Sequence, residues 1–350
     1  MNILITGGAG FVGSNLAVSL KLRFPEYNII CLDNLKRRGS EFILKRLIKY
    51  NVEFKHGDVR NKEDLELGNI DLLIDCSAEP SVMSGFGSSP EYLINTNLMG
   101  SINCFELARK YSAKIIFIST SRVYPYDVMS GLDYGRNDNR FLLRDNYNIP
   151  GISGDGISED FGLIGSRSLY GATKLSAELL LHEYYKTYGL GYVINRCGVI
   201  AGPWQMGKVD QGIFTYWMAS HVFKRDLKYI GFGGEGIQVR DLLHIDDFCN
   251  LIALQIENFD LVSGGTYNVG GGKNNLSLLE TTRICEDITG NKVNIHSEKD
   301  TRFADVPVYI TNNDKINKIL GWLPVKTPRE ILEDIYFWII NNRSSLEGVL

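Results

Sequence analysis

Tyr170 and Lys174 stand four residues apart in "SLYGATKLSAELLLHEYY", a stretch rich in helix formers, so both side chains fall on one face of a helix. A phenol ionises with an ordinary pKa of about 10, and acting as a base near neutrality requires roughly 4 kcal/mol of added stabilisation of the phenolate. A nearby ammonium and a cationic ring can supply it. The same spacing is common on solvated amphipathic helices, so the pair gains meaning only from its company. Part of that company is "AKIIFIST" (113–120), an apolar run that ends at a strand-end hydroxyl, Thr120; Ser121 and Arg122 follow at once.

A second cluster lies at the start of the chain. "ITGGAGFVGSNLAVSL" places Gly7, Gly10 and Gly13 between a strand-like run and an amphipathic segment. Glycine permits a tight turn and close approach of a pyrophosphate, and the helix N-terminus offers N–H groups to it. Such triplets also arise for steric reasons alone, but Asp33 follows Gly13 by 20 residues at the end of "NIICLD", where a carboxylate can accept from both hydroxyls of an adenosine ribose. The same charge repels a 2′-phosphate and favours NAD, while Lys36, Arg37 and Arg38 keep NADP open. Asp58 and Val59 end a further strand and are placed near the adenine, although an Asp there is also ordinary turn chemistry. His244 and Asp246 offer two ligands at most, so no metal site is expected.

The elements that must position these groups are short β-branched runs alternating with helical-length segments: residues 2–6, 28–33, 52–58, 71–78, 113–120 and 191–197. Continuous apolar strands separated by helices predict an α/β fold, a doubly wound parallel sheet covered on both faces. The 350 residues, 44% hydrophobic, suffice for one such sheet and a smaller C-terminal α/β domain. The expected division is a dinucleotide-binding domain of residues 1–198 and 238–270, interleaved with a substrate domain of residues 199–237 and 271–350. Residues 124–168, rich in Gly, Asp, Asn and Ser, read as a long functional loop that closes over substrate. A formal charge of −4 leaves no basic footprint for nucleic acid. Six dispersed cysteines argue against disulfides and zinc, and no apolar run is long enough to span a membrane. A soluble cytoplasmic protein is expected.

"TGGAGFVG", "STSRVY", "YGATK" and "RDLLHIDD", in that order over almost the whole chain, resemble the extended short-chain dehydrogenase/reductase superfamily acting on nucleotide sugars. The resemblance implies a Rossmann domain that binds NAD and a smaller domain, with the sugar nucleotide in the cleft between them. It makes Tyr170 the general base, gives Lys174 the nicotinamide ribose and the lowering of the tyrosine pKa, and gives Thr120 the reacting oxygen. It implies NAD contacts from Gly7, Gly10, Phe11, Val12 and Gly13, from Asp33, Asn34 and Arg38, from Asp58 and Val59, and from Ser77, Ala78 and Asn97, besides Tyr170 and Lys174. Two long apolar-striped helices, 91–111 and 168–188, correspond to the pair that forms a homodimer in such relatives; packing on the sheet alone is the plainer reading.

Within that superfamily, 4,6-dehydratases carry Asp-Glu after the threonine, because elimination of water needs an extra acid and base. Ser121 and Arg122 stand there in this chain and are assigned to the substrate instead, which favours oxidation and re-reduction by an epimerase. "RCGVIAGPWQMGKVDQGIFTYW" and "GIQVRDLLHIDD" are similar to CDP-paratose (CDP-tyvelose) 2-epimerases and favour a CDP-hexose. This resemblance implies that Arg240 and Arg302 clamp the diphosphate, that Asp305 binds a ribose, and that Gln205 and Gln211 help set the sugar or base. Alternatives are a UDP-sugar 4-epimerase, a dehydratase or decarboxylase using Asp127, Asp133, Glu159 or Asp160, and a non-catalytic sensor.

Overall fold

The continuous apolar runs form the strands of one sheet. β1 (Asn2–Thr6), β2 (Asn28–Asp33), β3 (Glu53–His56), β4 (Leu72–Asp75) and β5 (Lys114–Thr120) pair in parallel. The strands Tyr192–Cys197 and Gly265–Val269 extend the sheet beyond β5, so that β3, β2, β1, β4 and β5 run from one edge and Gly265–Val269 lies at the other. This order, with helices packed on the strands, is the Rossmann-type doubly wound sheet expected. In the computed structural model residues 1–209 and 211–350 are described; Asp210, part of the "DQG" stretch, lies outside them.

Residues of the chain group into two compact units. The first comprises Met1–Val123, Ser168–Arg196 and Cys249–Tyr267; the second comprises Tyr124–Arg167, Cys197–Phe248 and Asn268–Leu350. The first core includes Leu4, Leu32, Leu73, Phe105, Phe117, Leu181 and Ile194, all buried, because strands covered on both faces have no polar side to alternate with. The second gathers Phe214, Trp217, Ile335 and Trp338 from helices Ile213–Phe223 and Pro328–Asn341. A small sheet joins it, in which Val239–His244 pairs with Val199–Ala201, Asn275–Ser277 and Val308–Tyr309.

Residues 124–167, 197–198, 238–248 and 268–270, assigned from sequence to the dinucleotide domain, group with the second unit. The reason is hydrogen bonding. Residues 124–167 hold a short helix, Tyr126–Ser130, and two small hairpins, joined by turns and irregular chain. Arg140 bonds Glu280 and Asn275, Arg136 pairs with Glu235, Tyr124 Oη donates to Asn268 at 2.8 Å, and Ile157 N donates to Ile310 O at 2.8 Å. Glycine and aspartate richness here marks turns and caps.

Candidate active site

At the first turn, Gly7 has φ +64, and a Cβ on it would lie 2.7 Å from Cys76 O. A Cβ on Gly13 would lie 2.3 Å from Gly7 O, so the tight approach of turn and helix α1 (Phe11–Arg23) requires glycine there. Gly10, the cap of α1, donates its N–H to Gly7 O at 2.9 Å, and Phe11 and Val12 open the helix half-buried. Gly8 was missed by the triplet reading: a Cβ on it would meet Cys31 Cβ at 2.4 Å. These positions leave a backbone cradle at a helix N-terminus, which suits a pyrophosphate.

Asp33 closes β2 beside this turn. One carboxylate oxygen accepts from Ala9 N at 3.1 Å and the other from Leu35 N at 2.8 Å, and burial, outweighing those bonds, pushes its pKa above the ordinary carboxylate value. Each oxygen keeps a further lone pair for a ribose hydroxyl. Asp58 is engaged differently. Arg60 binds it through Nε at 3.0 Å and Nη2 at 2.7 Å, Asn34 Nδ2 adds a bond at 2.9 Å, and Arg60 chiefly holds its pKa well below the ordinary range. Val59 is buried, and its carbonyl accepts from Asn103 Nδ2 at 2.8 Å. Arg38 is exposed, while Lys36 Nζ sits over the Tyr92 ring.

Ser77 and Ala78 follow β4. Ser77 donates both N–H and hydroxyl to Asp75, whose carboxylate also accepts from Thr6 and Ser101. Asn97 is fully buried, and its amide spans Glu79, accepting from Glu79 N at 2.7 Å and donating to Glu79 O at 3.0 Å. Its visible part is thus to hold the segment after Ser77 and Ala78.

Tyr170 and Lys174 lie in the helix Leu169–Tyr188, started by Ser168, whose hydroxyl accepts from Gly171 N at 3.2 Å, and stopped by Gly189 at φ +70. The helix packs on β5 and on the turn Ser121–Val123. Tyr170 is 9% exposed and Lys174 2%, with the ammonium 4.3 Å from the Phe117 ring centre. Thr120 is buried at the end of β5, and its Oγ1 accepts from Arg122 N at 3.2 Å, which turns the chain sharply; Ser121 and Arg122 are half-buried beside it. Phenol, ammonium and strand-end hydroxyl therefore belong to one unit, on two elements in contact.

The substrate assignments fall in the second unit, apart from Ser121 and Arg122. Arg240 Nη2 pairs with Asp305, and Arg240 Nη1 donates to Val239 O at 2.8 Å. Asp305 therefore carries an arginine, a partner that the ribose assignment did not include. Asp241, one residue on, points to the opposite side of the strand and is fully buried, accepting from Gly272 N and Thr311 N; burial raises its pKa. Arg302 Nη1 donates to Val209 O at 3.3 Å. The Gln205 amide donates to Ile200 O and accepts from Thr215 Oγ1, while Gln211 forms a backbone bridge with Lys208. Gln205 thus braces its own loop.

Three of the four acids held in reserve for elimination are also engaged. Asp127 accepts from Val128 N and Ser166 N, which chiefly lowers its pKa, Glu159 accepts from Asn268 N at 2.6 Å, and Asp133 lies 3.1 Å from Arg144 Nε. Asp160 is exposed. Among the described residues no group of three or more His, Cys, Asp and Glu could hold a metal ion, and no helix is long and apolar enough to cross a membrane.

Residues 3–270 match the model of the NAD dependent epimerase/dehydratase family. The chain is similar to the CDP-paratose 2-epimerase of Salmonella typhi, 30% identical over 354 residues that cover 97% of this chain and 99% of that protein. Among solved structures it is similar to the UDP-glucuronic acid 4-epimerase from Bacillus cereus in complex with UDP-glucuronic acid and NAD, with TM-score 0.79 and 25% identity over 97% of this chain and 99% of that one. It is equally similar to a double mutant of the dTDP-glucose 4,6-dehydratase from Streptomyces venezuelae with NAD bound, with TM-score 0.80 and 26% identity over 100% of both chains.

Proposed function

Because the chain belongs to the NAD dependent epimerase/dehydratase family, we propose that it is a nucleotide-sugar epimerase inverting C2 of a CDP-hexose through a transient keto sugar. The glycine cradle and Asp33 would hold NAD, which would supply reversible hydride transfer with the sugar and no net redox change. Tyr170 takes the proton of the sugar hydroxyl and gives it back on return. Lys174 favours the phenolate through its charge and holds the nicotinamide ribose, and Thr120 hydrogen-bonds the reacting oxygen. Arg240 and Arg302 suit the diphosphate, for which paired guanidinium groups give charge-assisted hydrogen bonds.

One observation carries the choice of epimerisation over elimination: Ser121 and Arg122 follow Thr120, and neither protonates a leaving hydroxyl at neutral pH. The engagement of Asp127, Asp133 and Glu159 in caps and ion pairs supports the same choice. Similarity over 97% of the chain to a CDP-paratose 2-epimerase supports C2 and the cytidine nucleotide. A UDP-sugar 4-epimerase is the second reading, supported by the likeness to the Bacillus cereus enzyme. We also take the protein to be a homodimer, since Leu179 and Tyr188 on the helix Leu169–Tyr188 are 62% and 58% exposed. A monomeric mass by light scattering would remove that part.

The test is proton NMR of a CDP-hexose incubated with the protein in deuterated water. Direct oxidation and return yields the epimer with no deuterium at carbon; deuterium at carbon would replace the proposal with elimination or enolisation. Turnover of UDP-sugars but not CDP-sugars would move the reaction to C4.

A further inference from the structure

Thr120 on β5 and the Tyr170–Lys174 pair on the helix Leu169–Tyr188 must stay in register, and a buried carboxylate joins their two elements. Glu178 lies one turn beyond Lys174 and two beyond Tyr170, on the same helix face. It is 4% exposed, and its partner Arg196 is 7% exposed. Arg196 donates through Nη2 at 2.8 Å and Nε at 3.0 Å to one oxygen, with Nε 3.3 Å from the other, and Ser119 donates its hydroxyl to that other oxygen. Ser119 directly precedes Thr120, and Arg196 belongs to Tyr192–Cys197, the strand beside β5. One side chain thus ties the helix to two adjacent strands, at the residue next to Thr120.

Desolvation of two buried charges offsets most of their attraction, so apolar side chains of similar volume would hold the helix as firmly. What apolar packing lacks is direction and charge. A bidentate guanidinium fixes the helix along its axis, and it also neutralises a carboxylate that stands one turn from the Lys174 ammonium.

We propose that Glu178 and Arg196 are positioning residues, which hold Tyr170 and Lys174 in register with Thr120 and keep the Glu178 charge from offsetting the ammonium of Lys174. This inference rests on the reading of Tyr170 as the base. The other ionisable groups facing this stretch do not substitute for the pair. Burial pushes the Cys104 thiol up, and it pushes the Tyr192 phenol, which senses Glu178, Tyr185 and Tyr267, up as well, so both stay neutral. Asp75 is occupied by the hydroxyls of Thr6, Ser77 and Ser101.

The test is a spectroscopic titration of the phenolate with NAD present, in which subtracting the Tyr170→Phe protein isolates Tyr170 from the other tyrosines. Glu178→Gln leaves Arg196 positive and lowers the Tyr170 midpoint; Arg196→Met leaves Glu178 negative and raises it. Each shift is roughly half a unit to one unit, for a charge about 12 Å along the helix. The double variant returns the midpoint close to the parent. Shifts of the same sign, or none, in folded variants would overturn the proposal. Should Arg196→Met not fold, Glu178→Gln against the double variant decides: equal midpoints overturn it. A depressed Tyr170 midpoint indifferent to both residues removes only this inference, whereas no depressed midpoint in the parent removes the base assignment itself.

Discussion

Two arginine–carboxylate pairs, one in each unit, have similar chemistry and opposite settings. Glu178 and Arg196 have side chains 4% and 8% exposed, in a sheet-facing position with three elements around them. Arg240 and Asp305 have side chains 13% and 22% exposed, and Asp305 sits in a loop. A charge in the first pair has nowhere else to go. A charge in the second lies nearer solvent, so parting from its partner would cost less. The first arrangement suits holding a geometry, and the second suits meeting a ligand.

The strongest separation of the two regions is expected from Tyr170→Phe. Turnover should fall by about a thousandfold or more while affinity for NAD and for CDP stays within about twofold; undiminished turnover would leave the first unit without its base. Next in size is Glu178→Ala, which strands Arg196 in the interior and should cost about 3–5 kcal/mol in chemical denaturation. Arg240→Met should behave in the reverse manner. Its effect on stability should stay below about 1 kcal/mol, with CDP binding by calorimetry weakened about tenfold. A large stability loss with unchanged CDP affinity would make Arg240–Asp305 a second structural pair and erase the contrast.

The smallest effect concerns pH. Burial holds His221 and His244, both in the second unit, below the ordinary imidazole pKa, whereas His56 and His182 of the first unit are exposed. A depressed folded pKa means that the unfolded chain binds more protons. Stability is therefore complete above the unfolded value of about 6.5 and declines as pH falls through and below it. Hydrogen exchange at pH 5.5 against pH 7.5, corrected for intrinsic rates, should show protection lost first in the helix Ile213–Phe223 and the strand Val239–His244. Earlier loss in β1 and β4 would contradict this.

The sheet was legible because strands buried on both faces are written as unbroken apolar runs, and "NILIT", "NIICLD" and "AKIIFIST" became β1, β2 and β5. Tyr170 and Lys174 were legible because a helix converts a spacing of four into one face. Glu178 was visible in principle as the next acid on that face, and Arg196 as a charge inside the apolar strand "YVINRC", but nothing in their order along the chain pairs them. The partners of the segment 124–168 were illegible for a related reason. Its turn residues announce an irregular loop, while its arginines and Tyr124 find partners in the second unit that no local pattern names.

Sequence alone determined which groups are present: the glycines that a Cβ would forbid, the carboxylate of Asp33 at the end of β2, and a tyrosine and lysine one turn apart. It did so because backbone conformation and helical periodicity are local properties. Only the tertiary structure decided which charges neutralise one another, since an ion pair such as Glu178–Arg196 or Arg240–Asp305 depends on the approach of separate elements and on how much water their packing excludes.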